Sequence, residues 1–221
     1  KSFLKTHKNI VFIEETVDDA SIKNKWAKKQ MVFQLNWRKD TVGFLSKCRK
    51  IKLIFDVNEM RFLRQYNFKD SNKEIEKKIK SRFNIDVVMP ANYVVVKDSG
   101  NIFWATYNPE NIEEIKHIIF YSFTPKEMDF KKEILSNTDS VFSNYLLGVR
   151  KNSFVKIEQL YVPSFSDNIF RGLWKLENGF MGGPFLIKRY VQEGRVVVGA
   201  GVIFAPNSRK RKYVKEMEAI L

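Results

Sequence analysis

From residue 84 onward the sequence breaks into short runs of β-branched and aromatic residues divided by turn signals. Runs of this length and composition read as strands rather than helices. The first covers residues 84–90 and ends at Pro90. Residues 93–97 return, followed by the turn Asp98-Ser99-Gly100-Asn101 and a run over 102–107. Residues 115–123, dense in Ile and Phe, form the next. A helix is predicted over 130–147, stopped by Gly148. The rest is a meander: 156–162, 169–177, a bend at 179–183, then 185–192 and 195–204 joined through Glu193-Gly194. Residues 208–221 are predicted to form a capped helix with Tyr213 or Val214, Met217 and Leu221 inward.

The first part of the chain is patterned differently. Residues 9–14 and 31–37 read as strands. Between them lies a polar stretch with Lys23, Lys25, Lys28 and Lys29, in which Trp26 is expected to pack under the loop. Asp40-Thr41 can cap a helix. Phe44, Ile51, Phe55, Phe62 and Tyr66 then mark an apolar stripe at three-to-four spacing, which predicts a helix to about Tyr66. A break is expected at 67–70. Asp70 or Ser71 would cap a second helix, with Ile75, Ile79 and Phe83 inward. Strand runs with segregated helices imply an α+β fold: antiparallel sheet or sheets with helices packed on one face, and a strand-rich C-terminal half. The expected organisation is an N-terminal α/β segment, 1–83, and a C-terminal α+β domain, 84–221, with an antiparallel meander; one continuous domain is the alternative.

Composition narrows the class. At 44% hydrophobic and 14% aromatic, with 19 Phe, the 221 residues can bury a sizeable core, which argues against global disorder. No run of about 18 apolar residues occurs, so no membrane-spanning helix is predicted. The opening Lys1-Ser2-Phe3-Leu4-Lys5 is not a signal peptide and has no initiating Met, so the expectation is a processed or truncated product. Cys48 is the one cysteine; it cannot close an internal disulfide or anchor zinc alone, and its helical setting reads as a small buried side chain.

The formal net charge of +14 is uneven. Residues 1–85 hold 21 Lys or Arg against 10 Asp or Glu, whereas 86–221 hold 18 against 15. Such a face can bind nucleic acid, anionic lipid or acidic polysaccharide through counterion release. It can equally be a solvated surface, as interleaving such as Lys73-Glu74-Ile75-Glu76-Lys77-Lys78 implies. Lys23, Lys25, Lys28 and Lys29 form the candidate basic patch.

No catalytic, metal or cofactor motif stands out, so catalytic, cofactor-binding and metal residues are all left unassigned. Gly179-Phe180-Met181-Gly182-Gly183 lies between two strands and Gly199-Ala200-Gly201 inside one, whereas a phosphate cradle needs its glycines at a strand-to-helix turn. The first reads as a bend and the second as room for close approach. His7 and His117 are the only imidazoles, and neither has an informative neighbour. A hydrolase with dispersed carboxylates stays open, because 25 acidic residues offer many pairs and select none. Trp174 and Phe185 flank the glycine bend. With Phe180, Met181, Gly182, Gly183 and Pro184 they form the candidate interaction surface.

The stretch Gly172-Leu173-Trp174-Lys175-Leu176-Glu177-Asn178-Gly179-Phe180-Met181-Gly182-Gly183-Pro184-Phe185 resembles a segment of the Bacteroidetes lipoprotein family called domain of unknown function 4837. Val197-Val198 with 201–206, Lys210-Arg211 and 217–220 continue the resemblance. Thr6-His7-Lys8-Asn9-Ile10, residues 83–85 to 90–93, and Phe103-Trp104 resemble further landmarks, so the likeness spans essentially the whole chain. It implies a fold and a compartment but no reaction: a lipid-anchored protein of the cell envelope, on the periplasmic or surface side, with its lipid-bearing cysteine outside this chain and the segment 1–83 expected to lack upstream elements of the family pattern. The leading expectation is a non-catalytic binding or assembly module whose partners are envelope proteins or glycans. Membrane association would come only through that anchor. Polyanion binding through the basic N-terminal part is the alternative.

Overall fold

A computed structural model of the protein describes residues 3–15, 18–37 and 40–221. Lys1 and Ser2, part of the opening weighed as a leader, lie outside the described residues. The chain divides into two compact units, Lys1–Phe62 and Leu63–Leu221.

In the first unit, β1 (Asn9–Glu14) and β3 (Met31–Asn36) pair in parallel, and β2 (Ala20–Lys23) joins the other edge of β3 antiparallel. β2 falls in the stretch expected to be a polar loop. Its four residues are all exposed, so no apolar alternation marks it, and its backbone alone makes the ladder. α1 (Thr41–Lys69) starts where Asp40 accepts a hydrogen bond from the Gly43 N–H at 3.0 Å. Phe55 meets Phe33 edge-on at 5.5 Å and Phe44 meets Trp37 at 4.7 Å, so the helix covers the small sheet with its aromatic stripe. Cys48 is half-buried there. Tyr66 is exposed, and α1 continues through the expected break, since residues 67–69 include neither Gly nor Pro. Trp26 is also exposed rather than buried beneath its loop.

In the second unit Asn72, not Asp70 or Ser71, caps α2 (Lys73–Phe83), accepting from the Ile75 N–H at 3.1 Å. Residues 84–90 form no strand, and Asn84 opens them in the left-handed region as the C-cap of α2. Ile85, Val87 and Met89 are buried at alternate positions, and only an isolated bridge, Ser71 to Pro90, pairs the segment. Alternating burial therefore reproduced a strand pattern where no strand neighbour was available.

The large sheet follows: β4 (Val94–Ser99), β5 (Ile102–Tyr107), β6 (Ile115–Phe123), β7 (Phe154–Ile157), β8 (Ser164–Ser166), β9 (Ile169–Glu177), β10 (Gly182–Gln192) and β11 (Arg195–Phe204). Its order is β4-β5-β6-β11-β10-β9-β7, with β8 paired to β9, and every pairing is antiparallel. The expected strand over 156–162 is shorter and earlier; Leu160, Tyr161 and Val162 are exposed in the loop ahead of Pro163. α3 (Phe130–Tyr145) is capped by Asp129, which accepts from Lys131 and Lys132. α4 (Lys210–Ile220) has Arg209 at its N-cap without a side-chain cap bond. There the Lys210 ammonium ties the carbonyls of Ala205, Pro206 and Ser208 instead.

The α+β class and the strand-rich C-terminal half hold, but the helices of this unit cover both faces of the sheet, not one. α2 and α4 pack over Phe103, Ile118, Phe120, Leu186 and Val197. α3 packs over Ile119, Tyr121, Ile187, Val198 and Val202 on the other side. Both faces of β6, β10 and β11 are apolar, so both must be removed from water. β11 is buried from Val196 through Ile203. Gly199 and Gly201 let α4 settle directly on it, with Leu221 and Met217 filling the space their side chains would take. At the same face Lys116, 4% exposed, bonds Glu114 at 2.9 Å and Glu216 at 2.8 Å. Burial pulls its pKa down, but the two carboxylates outweigh that and raise it.

A Cβ at Gly199 would stand 2.8 Å from the Phe120 ring and 2.9 Å from Leu221. Gly199→Ala should therefore lose about 1–3 kcal/mol in urea unfolding, the usual cost of overpacking a filled core. An unchanged midpoint would mean that α4 shifts freely on the sheet.

Candidate functional site

The glycine-rich segment is built by cross-strand pairing of β9 and β10. The register sets Trp174 opposite Gly183 and Phe185 opposite Gly172. Each aromatic ring thus lies beside a residue without a side chain. The Trp174 indole N–H donates to the Ile203 carbonyl at 3.0 Å. A Cβ on Gly183 would overlap that same carbonyl oxygen, so only glycine fits. Phe185 crosses edge-on to Phe142 of α3 at 6.1 Å.

Trp174 is 4% exposed and Phe185 1%, so these two members of the expected interaction surface are core residues. They belong to one hydrophobic cluster with Phe142 and Ile187. Phe180, 92% exposed, stands at the turn, with the Arg150 guanidinium 5.2 Å from its ring centre. Met181 is half-buried, Gly182 is exposed, and Gly183 and Pro184 are intermediate.

Beside this turn a cavity of about 310 Å³ opens on the α3 face. Its walls are Trp104, Ile115, His117, Val155, Trp174, Leu176, Met181, Val202 and Phe204, with Leu146, Leu147, Gly148 and Val149 from the segment after α3, and Asn108. Leu147 and Val149 are exposed. Apart from Asn108 and His117 every side chain in this lining is apolar or an indole, and a volume of this order lies at the small end of ligand sites.

His117 carries the polar chemistry of the pocket. It sits opposite Thr106 in the β5–β6 register. The Trp104 indole N–H donates to its Nδ1 at 3.3 Å, and the Thr106 hydroxyl lies 3.0 Å from the same atom. An indole nitrogen can only donate, so Nδ1 is bare and the ring hydrogen is on Nε2. Burial lowers the His117 pKa to about 4, which keeps the ring neutral near pH 7. Among the described residues Nε2 has no hydrogen-bond partner, nor is it a buried orphan. Sequence reasoning passed over His117 because its partners come from a neighbouring strand. The Phe103-Trp104 pair was the available signal: Phe103 goes to one core and Trp104 to the pocket.

The basic candidates lie in the first unit. Lys23, Lys25, Lys28 and Lys29 are all exposed. Lys25 is 4.7 Å from the Trp26 ring centre and Lys5 5.8 Å, while Lys29 and Lys8 are 5.1 and 5.7 Å from that of Phe62. Lys5 and Lys8 were missed, being distant in sequence. Lys23 lies instead in a shallow apolar groove with Met31, Leu53, Ile54 and Val57. Among the described residues no group of three His, Cys, Asp or Glu is placed to hold a metal ion.

A two-sided antiparallel sheet that carries an apolar, ligand-sized pocket characterises the second unit. The family model described as Domain of unknown function (DUF4837) matches residues 72–221, which is most of the chain and most of this unit, and the chain belongs to that family. No curated protein and no solved structure matches it.

A neutral His117 makes stability pH-dependent. Unfolded, it titrates near its ordinary 6.5; folded, near 4. Between these values the unfolded chain holds more protons, so this stabilisation is full above pH 6.5 and falls as pH drops toward 4. Urea unfolding at pH 7 and pH 4.5 should show the parent losing on the order of 1–3 kcal/mol more than His117→Gln. Parallel losses would mean that His117 is not buried in its neutral form.

Proposed function

We propose that this protein is a non-catalytic binding module of the bacterial cell envelope that takes its ligand in the apolar pocket beside the Met181 turn. The pocket carries the proposal: two indoles and a ring of aliphatic side chains enclose it, and exposed Leu147 and Val149 border it. His117 is the one titratable side chain in this lining, and its Nδ1 is already engaged by Trp104, which leaves no paired acid and base. Nor does any carboxylate line it, which weighs against the hydrolase reading. The envelope location, the lipid anchor outside this chain and the Bacteroidetes origin rest on the sequence resemblance. Envelope proteins or glycans as partners rest on it as well, and such a partner would meet exposed Phe180 and Gly182 rather than Trp174 or Phe185.

Fluorescence titration with N-phenyl-1-naphthylamine tests the pocket. Saturable binding is expected, weakened at least tenfold by Leu147→Glu with Met181→Glu, while the thermal midpoint stays close to the parent's. Binding that ignores both changes, or no saturable binding, removes the proposal. Labelling cells that express the full-length gene product with palmitate tests the anchor; an unlabelled product rejects it.

Polyanion binding by the first unit is a second reading, favoured by Lys5, Lys8, Lys25 and Lys29 converging on the Trp26 and Phe62 rings. An exposed Trp26 ring and a half-buried Phe62 ring among ammonium groups suit a polyanion that offers both charge and flat apolar surface. Heparin and single-stranded DNA affinities should fall steeply between 50 and 200 mM salt. Lys25→Gln with Lys29→Gln should lower the salt slope by about two. Binding indifferent to salt would sink this reading.

A further inference from the structure

With the pocket taken as the binding site, a reading on which the inference depends, its polarity defines the chemistry of the ligand more narrowly than its shape does. Three observations bear on that chemistry. First, the walls are apolar apart from His117 and Asn108, and Asn108 is exposed. Second, no Lys, Arg, Asp or Glu lines the cavity. Third, the Trp104 N–H occupies Nδ1 of His117, so the ring presents an N–H donor at Nε2 and no free acceptor.

We infer that the pocket binds a small, uncharged, mainly apolar molecule carrying a carbonyl-type oxygen, which accepts a hydrogen bond from His117 Nε2–H. Each alternative class meets a physical penalty. A carboxylate or phosphate would leave water for a site without a cation, and one neutral N–H does not offset that desolvation. An ammonium would face a donor with its own hydrogens. A pure hydrocarbon would fill the volume but cover Nε2–H with nothing to bond, leaving a buried donor unsatisfied. An ester, amide or ketone on an aliphatic or aromatic body meets every condition. The ring stays neutral throughout, consistent with burial holding its pKa near 4. Trp104 is then a positioning residue, since it fixes the tautomer that presents the donor.

The test uses three probes sharing one body: 4-phenyl-2-butanone, butylbenzene and 4-phenylbutyrate, titrated into the full chain at pH 7. The tryptophans of the pocket report occupancy, and nitrogen-15 NMR of the histidine side chains reports the tautomer. The ketone should bind and move the His117 Nε2–H resonance, and butylbenzene, which offers that N–H no acceptor, should bind more weakly than the ketone. His117→Leu should weaken the ketone about tenfold and should not weaken butylbenzene, whose covered donor it removes; His117→Gln, which keeps a donor, should restore part of the ketone affinity. Tenfold is about 1.4 kcal/mol, the size of one hydrogen bond. If His117→Leu weakens ketone and hydrocarbon alike, or neither, the donor role is overturned while the pocket survives as a binding site. Tighter binding of 4-phenylbutyrate than of the ketone overturns the uncharged class. If none of the three binds, the pocket itself fails as the ligand site.

Discussion

β11 is the constraint on which the second unit depends. It is buried from Val196 to Ile203, with β6 on one side and β10 on the other. A strand buried on both faces has no solvated side, so two helical layers must form together for either to be stable. Its glycines distribute them unequally. Gly199 and Gly201 draw α4 close on one face, through Leu221 and Met217. Val198, Ala200 and Val202 present ordinary side chains to the other, where α3 packs. Lys116 stitches the close face at its margin, sharing its ammonium between Glu114 and Glu216 and lying 4.4 Å from the Tyr107 ring centre. Removing either partner of such a group costs more than the pair contributes, because it strands a buried charge.

The glycine-rich segment acts on the pocket indirectly. Trp174 spans the gap to the Ile203 carbonyl only because Gly183 leaves the space open. Phe185 covers Gly172 and reaches Phe142. These cross-strand pairs stiffen the β9–β10 hairpin, whose turn then presents Met181 to the cavity and Phe180 to solvent. The most distinctive stretch of the sequence is therefore largely a support. What a ligand or partner can touch is the less conspicuous set around it: Leu147, Val149, Met181 and His117.

Much of the architecture was legible. Runs of Val, Ile and Phe gave β5, β6, β10 and β11, because strands buried on both faces leave dense apolar runs. The apolar stripes of α2 and α4 were legible for the related reason that one face of each is buried. Residues 84–90 misled because alternating burial of Ile85, Val87 and Met89 has the same period whether or not a neighbouring strand exists. β2 was hidden for the opposite reason, being a strand with no buried side chain. The site was harder still. Trp174 drew attention for its place beside the glycines, but the register that buries it is long-range. His117 had nothing nearby to mark it, since Trp104 and Thr106 reach it across a strand pair, and pairing is not written in sequence spacing.

The pocket exists because the two faces are closed to different extents. α3 has 16 residues and spans about 24 Å at 1.5 Å per residue, whereas the ten residues of β11 span about 33 Å. Even laid along the strands, α3 cannot cover them end to end. On the opposite face α2 and α4 share the work. The chain leaves α3 at Leu146 and folds over the uncovered end only as far as Val149, so a volume remains above Val202 and His117. Apolar walls alone would favour closing such a gap by shifting the loop inward. Covering the His117 ring without supplying an acceptor would bury its Nε2–H unpaired, at a cost of about 1–3 kcal/mol. On the binding reading, that N–H is the group a carbonyl oxygen would satisfy, so the short α3 leaves the volume and His117 sets the polarity of what would fill it.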